Sequence, residues 1–491
     1  MNNLVVMPLL IPLVTAIVLI FFRSIMAQRV ISTISLLLNV AVSVSLIADV
    51  HRNGIQTLYM SGWVPPYGII FVADMLAALL VLTTTVIGTA CIIYAFGSIG
   101  EAREKHYFYP LAQFLLVGII GSFLTGDIFN LFVCFEVMLI SSYSLITLGG
   151  SKLQLRESIK YILVNIVGST LFVASVAYLY ATLGTLNMAH LSERVAEAGQ
   201  GGMLNVLAVL FLIVFSMKAG LFLFFWLPGS YSAPPAAIVA LFGGLLTKVG
   251  LYAIIRTFTL IFYHDPNFTH TLIGWMAAAT MLLGGLGAIA YRDVNRILLY
   301  NIVISVGFIG LGVVAATPEA HEGLVFYLMH DMVAKALLFL IGGALVAAVG
   351  SSKLKEMGGL IARYPALGWM FFVTALAIAG VPPLSGFIGK LLIVQGGLSG
   401  QVYVLTAIGL ISSLLALYSL MMAFMGCFWG ERQSAQSELP PISKGLFVPM
   451  AGLLAVVVLL GLGAEWIYPY VASAGEVLSD PQIYVDAVLK E

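Results

Sequence analysis

The sequence predicts an all-α integral membrane protein of about fourteen transmembrane helices. Two inverted five-helix repeats, with discontinuous helices 7 and 12, make up most of it. Three observations carry this expectation. The 491 residues are 61% hydrophobic and only 9% charged, more apolar surface than a water-soluble chain of this size can bury. Apolar runs of the roughly 20 residues needed to cross a bilayer recur along the whole chain, leaving no room for a soluble catalytic domain or a long linker. Two of these runs, five helices apart, are interrupted by proline and glycine.

The first run, MNNLVVMPLLIPLVTAIVLIFF, lacks a basic leader and fills residues 3–22, so it is expected to be a retained helix and not a signal peptide. Spans at 29–48 and 70–96 complete an N-terminal group, residues 1–107. The first repeat, 108–262, takes spans at 108–125, 128–149, 159–184, 203–225 and 235–262. The second, 263–430, takes 271–290, 295–316, 322–349, 367–396 and 402–428. A last span at 446–466 and the C-terminal tail occupy 431–491. The seventh span runs into WLPGSYSAPP (226–235), and the twelfth contains AGVPPLSGF (379–387). Such breaks survive in hydrocarbon only where protein or a water-filled cavity satisfies the freed backbone groups. Paired broken spans in two halves are the sequence mark of an internal repeat in transporters. An odd repeat of five helices relates spans 4–8 and 9–13 by inversion.

Orientation follows from the basic residues. With the N-terminus outside, the inside loops hold fourteen of the 22: Arg23, Arg29, Arg103, Lys105, Lys152, Arg156, Lys160, Arg292, Arg296, Lys353, Lys355, Arg363, Arg432 and Lys444. Outside lie Arg52, Arg194, Arg256 and Lys490. An even number of spans puts the C-terminus outside as well. Four lysines remain, Lys218, Lys248, Lys335 and Lys390, each inside an apolar segment. Net charge is zero, so placement, not balance, is informative.

A charge near the bilayer centre costs about 2.5–3.5 kcal/mol on insertion scales, so these lysines and Glu136 are candidate functional groups. Glu136, in NLFVCFEVMLISSYSLI, is expected to hold or pass a proton; the plainer alternative is half of a buried salt bridge. Lys218 lies about three turns before Pro228. Burial penalises its charge and Glu136 nearby supports it, so it can change protonation when its neighbour moves. Lys248, in ALFGGLLTKVGLYAIIR, has no acid within one turn and needs water or a partner on another helix. Asp331 and Lys335 are four apart and can pair on one face, a structural reading. His330 points about 100° away and suits a proton relay. Lys390 follows the second break by about two turns, as the counterpart of Lys218.

Other residues have plainer explanations. Asp74 and Asp127 sit near span ends, where capping or interfacial placement accounts for them. Ser141, Ser142, Tyr143, Thr247 and Ser305 could carry hydrogen-bonded water between the charges. Cys91, Cys134 and Cys427 lack CxxC spacing and are expected to be packing residues. Gly310, Gly312 and Ala315 fit a GxGxxA string but lie inside a span, where small-residue packing is the better reading. There is no Walker A motif, no HExxH and no paired metal-ligand spacing, so a nucleotide-driven pump is not supported. No cofactor and no nucleic-acid partner is expected.

The pieces FEVMLISSY, WLPGSYSAPPAAIVALFGGLLTKVGLYAIIR, RDVNRILLYNIVISVGFIGLG, HDMVAKALLFLIGG and GVPPLSGFIGKLLI resemble the proton-translocating antiporter-like subunits. That family is shared by respiratory complex I and the Mrp multisubunit sodium/proton antiporters. The resemblance spans about residues 70–430, and within the family APPAAIVALFGGLLTKVGLYAIIR and the length near 490 residues are most similar to D-type Mrp subunits. It implies fourteen helices, two inverted repeats and a mid-membrane chain of ionisable groups. Residue by residue, Glu136 matches the family's fifth-helix glutamate, Lys218 the seventh-helix lysine and Lys248 the eighth-helix lysine. His330 and Lys335 match the eleventh-helix pair, and Lys390 the twelfth-helix lysine. Some complex I relatives carry glutamate at that last position. Gly229 stands where many relatives have a polar or acidic residue, and it is assigned no role.

The expected function is therefore a subunit of a sodium/proton antiporter in the cell membrane, working with other hydrophobic subunits, with protons passing through the Lys/Glu/His chain. The alternative is a proton-pumping membrane subunit of a complex I-like or hydrogenase redox complex. A third possibility is an inert scaffold, against which the cost of the buried lysines argues. No acidic cluster of the kind sodium favours is visible inside the spans, and the sodium site is unassigned.

Overall fold

A computed structural model describes residues 2–430 and 441–490; Arg432, assigned above to an inside loop, lies outside them. The principal helices, in chain order, are α1 (Met7–Phe21), α2 (Ile25–Asn53), α3 (Met75–Ser98), α4 (Phe108–Leu124), α5 (Ile128–Thr147) and α6 (Lys152–Leu183). They continue with α7 (Met203–Ala219), α8 (Ala236–Leu260), α9 (Pro266–Ala290), α10 (Val294–Ala315) and α11 (Pro318–Val349). The last are α12 (Pro365–Ala379), α13 (Ser385–Ser399), α14 (Tyr403–Phe428), α15 (Lys444–Leu462), α16 (Ala464–Ser479) and α17 (Pro481–Leu489). Ten of them are long and apolar enough to cross a membrane, and α1, α4, α7 and α12 are apolar but shorter. The chain is a multi-span membrane protein.

The helices begin where the sequence supplies caps. Asp74 accepts from Ala77 N at the start of α3, and Asp127 accepts from Asn130 N at the start of α5. Ser151 and Gln154 form a reciprocal capping box on α6. The interior is built from α3, α4, α8, α10 and α11. α8 is buried along its whole length, whereas α2 and α6 are buried on only about a third of theirs and turn apolar side chains outward. A helix apolar all round suits either place; which one it takes is decided by packing.

Several boundaries differ from the sequence expectation. The third span does not begin at residue 70: residues 70–73 form strand β2 (Ile70–Ala73), antiparallel to β1 (Gln56–Tyr59), with Gln56 opposite Ala73 and Tyr59 opposite Ile70. The helix starts only after the Asp74 cap. The seventh span does not reach residue 225. It stops at Ala219, where Gly220 adopts φ +78°, a left-handed conformation that costs glycine little. The twelfth span, by contrast, is broken where the sequence places the break: α12 and α13 part at VPPL. The last span ends at Leu462, and the tail forms two further helices. Arg256 is not a loop residue that orients the chain: it lies within α8, buried, and pairs with Asp74.

One close approach positions the site. A Cβ on Gly250 would lie 2.5 Å from Ala219 N and 2.9 Å from Lys218 C. The C-terminal end of α7 therefore packs on the α8 backbone two residues beyond Lys248, a contact only glycine permits.

Candidate functional site

The structure gathers the predicted ionisable residues into three groups. In the first, Glu136 on α5 and Lys218 on α7 are joined through α6. Ser169 Oγ donates to Glu136 Oε1 at 2.5 Å, and Lys218 Nζ donates to Ser169 Oγ at 3.1 Å. Lys218 Nζ also donates to Asn165 O at 3.2 Å and Asn165 Oδ1 at 3.3 Å. Lys218 is buried and Glu136 half-buried. The early end of α7 puts Lys218 in the final helical turn. Asn165 and Ser169 do not stand out in the sequence as the charged residues do. Their signal is an i, i+4 polar pair on one face of an apolar span.

The second group lies deepest. Lys248 Nζ is 2.9 Å from Asp331 Oδ2, and Lys335 Nζ is 3.6 Å from Asp331 Oδ1. All three residues have no exposed surface. Asp331 is thus the partner on another helix that Lys248 requires, and it serves Lys335 as well. The purely structural Asp331–Lys335 pairing is the looser of the two contacts. Lys248 Nζ also donates to Gly243 O at 2.9 Å. Gly243 lies in a π-helical turn, Phe242–Leu246, inserted in α8. Such turns widen the helix and alter its carbonyl pairing, often at functional sites.

The third group stitches the break between α12 and α13. Lys390 Nζ donates to Ala379 O, the last residue of α12, at 2.9 Å. Its ammonium sits over the rings of Phe308 and Tyr327, 5.5 and 5.9 Å from their centroids. His330 Nδ1 is 2.7 Å from Ser385 Oγ, on the first residue of α13. The two groups flank the break from opposite sides, the cation at the carbonyl end where the helix dipole favours it.

Of the expected bridging residues, most are occupied by their own helices. Ser141 Oγ donates to Val137 O, and Ser142 Oγ to Leu139 O with Tyr161 OH 3.0 Å away. Ser305 Oγ donates to Ile302 O, and Tyr143 packs edge-on to Tyr161. Among the described residues Thr247 Oγ1 has no protein partner, nor do the buried Ser216 Oγ, Tyr231 OH and His330 Nε2. Tyr231 also borders a cavity of about 420 Å3, with Tyr94, Ser98, Asn295 and Phe339 among its walls. Phe339 packs against Gly243, one layer from Lys248. Among the described residues no cluster of three or more His, Cys, Asp or Glu side chains could hold a metal ion.

Residues 125–416 match the family described as NADH:quinone oxidoreductase/Mrp antiporter, TM. The chain belongs to this family. The match covers both broken spans and all six candidate residues. Among curated members of the family, the chain is 52% identical to the D-type subunit of the Na(+)/H(+) antiporter of Bacillus subtilis (strain 168), over 100% of both chains. Among solved members it superposes on a chain of the Mrp complex from Dietzia sp. DQ12-45-1b with a TM-score of 0.93, at 29% identity and 100% coverage of both. A chain of the membrane-bound sulfane sulfur reductase, an archaeal respiratory membrane complex, gives a TM-score of 0.90 at 25% identity, with 99% of each chain covered.

Proposed function

We propose that the chain is the D-type subunit of a multisubunit Na+/H+ antiporter, a secondary transporter component in the plasma membrane and not an enzyme. The full-length identity to an antiporter subunit, twice that to the redox-complex chain, favours this over the redox alternative. In this reading the chain makes fourteen crossings with both termini outside, and α4–α8 and α9–α14 are inverted repeats. Other hydrophobic subunits complete the complex.

The observation that carries the mechanism is the fully buried Lys248–Asp331–Lys335 cluster. Two ammonium groups share one carboxylate, so the strong pairing can pass from one lysine to the other. A proton taken up near Glu136 and Lys218 is relayed to this cluster, then by way of His330 to Lys390. Ser169 couples the first two groups by accepting from one and donating to the other. The steps between groups are longer than a hydrogen bond; the unpartnered hydroxyls of Thr247 and Tyr231 are suited to hold water across them. Each proton moving down the membrane potential releases about 2.3 kcal/mol per 100 mV, which the complex uses to export sodium.

The test is sodium-dependent collapse of a proton gradient in everted vesicles carrying the assembled complex. Glu136→Ala and Lys218→Ala are each expected to abolish it. Normal assembly with full antiport in either variant refutes the reading.

A further inference from the structure

A second buried charged cluster lies at the C-terminal end of α8, away from the proton chain. Arg256 Nη2 pairs with Asp74 Oδ2 at 2.5 Å, and Asp74 is itself fixed as the cap of α3. Arg256 Nε donates to Tyr252 OH at 3.3 Å, and that hydroxyl donates to Phe123 O on α4 at 2.8 Å. The guanidinium lies over two rings, Tyr252 at 5.4 Å and Tyr484 of α17 at 4.9 Å. Both Arg256 and Asp74 are buried. A buried ion pair is weak evidence of stability; its best-attested use is to fix one register among several.

The register fixed here is that of the helix carrying Lys248. On the N-terminal side of Lys248, α8 contains the π turn Phe242–Leu246, whose hydrogen bonding is less regular than that of an α-helix. On the other side, Thr247–Leu260 is uninterrupted α-helix. Arg256 stands eight residues beyond Lys248, about 12 Å along the axis. On its regular, C-terminal side Lys248 is therefore held by two contacts, the Gly250 approach to α7 and, beyond it, the Arg256–Asp74 pair. At a radius of about 6 Å, a rotation of roughly 20° moves a side-chain tip by about 2 Å. That is enough to part Lys248 from Asp331.

We infer that Arg256 is a positioning residue for Lys248, anchored jointly by Asp74 and by Tyr484 of the C-terminal helix α17. The inference rests on the reading of Lys248 and Asp331 as part of the proton path. It gives the C-terminal helix a role in ion transport although it touches none of the mid-membrane groups named above.

The experiment compares Tyr484→Leu, which removes the ring, with Tyr484→Phe, which keeps it, in everted vesicles with matched amounts of assembled complex. Tyr484→Leu is expected to lower the maximal antiport rate at least fivefold and leave the half-saturating sodium concentration within twofold. Tyr484→Phe is expected to stay near the parent. Where Tyr484→Leu lowers assembly, Arg256→Lys is read in its place: it keeps the charge and loses the planar stack. A parent-like maximal rate in Tyr484→Leu overturns the inference, as does a loss that Tyr484→Phe shares in full. Lys248→Ala is measured alongside. If that variant keeps full antiport, it is the proton-path reading that fails.

Discussion

Replacing Asp331 by asparagine removes the carboxylate that faces both Lys248 and Lys335 and keeps the side-chain volume. At an effective dielectric constant of about 20, the 2.9 Å contact to Lys248 is worth about 6 kcal/mol and the 3.6 Å contact to Lys335 about 5 kcal/mol. These do not add, because the two ammonium groups repel each other and one can release its proton. Removing one partner of a buried pair typically costs about 3–5 kcal/mol. If the relay must carry charge through this cluster, even the lower figure slows it by roughly 100-fold. The assay is the sodium-dependent proton flux of everted vesicles, normalised to assembled complex on native gels. Asp331→Asn is expected to lose antiport to below about 1% while the complex still assembles. Lys248→Met is expected to be more damaging than Lys335→Met, because its contact is shorter and includes Gly243 O. Antiport within about threefold of the parent in an assembled Asp331→Asn complex refutes the reasoning.

Other outcomes follow from single contacts. Ser169→Ala breaks the link between Glu136 and Lys218; hydrogen bonds to charged groups contribute about 1.5–3 kcal/mol, so antiport is expected to fall about 10- to 100-fold, with Ser169→Thr retaining most of it. Ser385→Ala removes the His330 contact at the start of α13 and is expected to cost about 1 kcal/mol, a several-fold loss of rate measured in the same vesicles. Gly250→Leu places a side chain where Ala219 N would be 2.5 Å from its Cβ, and native gels are expected to show loss of assembled complex. Asp127, between α4 and α5, has its carboxyl pushed up to about 6 by burial. Below about pH 4 folded and unfolded chains both hold the proton and the stability is full. It falls as pH rises toward 6, because the unfolded chain ionises first. Asp127→Asn, which still caps α5, is expected to raise the melting temperature at pH 7.5 and to flatten its dependence between pH 4 and 6.

What the sequence revealed and what it hid have physical causes. The α12–α13 break was legible because proline and glycine state it directly. The early end of α7 was not, because FLFFW continues the apolar run after Gly220 and one glycine rarely ends a helix. The β1–β2 hairpin was hidden because IIFVA reads as well as the start of a helix as it does a strand. The lysines and Glu136 stood out by their cost, yet their partners could not be read along one helix. The Lys248–Asp331 pair needs α8 to face α11, and that contact is set by packing. Arg256 is hard to place from sequence for a related reason. Near the end of a span, a basic residue counts toward orientation unless a buried acid elsewhere claims it, and Asp74 lies 182 residues away in sequence.

The three groups hold their charges by unequal means, and the inequality bears on how a relay through them would run. Lys218 is held by a hydroxyl, a carbonyl and an amide oxygen, with Glu136 one hydrogen bond further on. Lys390 is held by a helix-end carbonyl and two aromatic faces. Only the central group places a carboxylate directly on an ammonium. Neutral oxygens and ring faces stabilise an ammonium less than a carboxylate does in the same dielectric. A relay through these groups would therefore meet its tightest charge pairing at the centre, in the Asp331 contacts. If a proton must cross the centre, it waits on movement of α8 against α11, and α8 carries its π turn on one side of Lys248 and the Arg256 pair on the other. Rate control in such a chain belongs to the middle, so substitutions at Asp331 and in the Phe242–Leu246 turn should slow transport more than changes of similar size around Lys218 or Lys390.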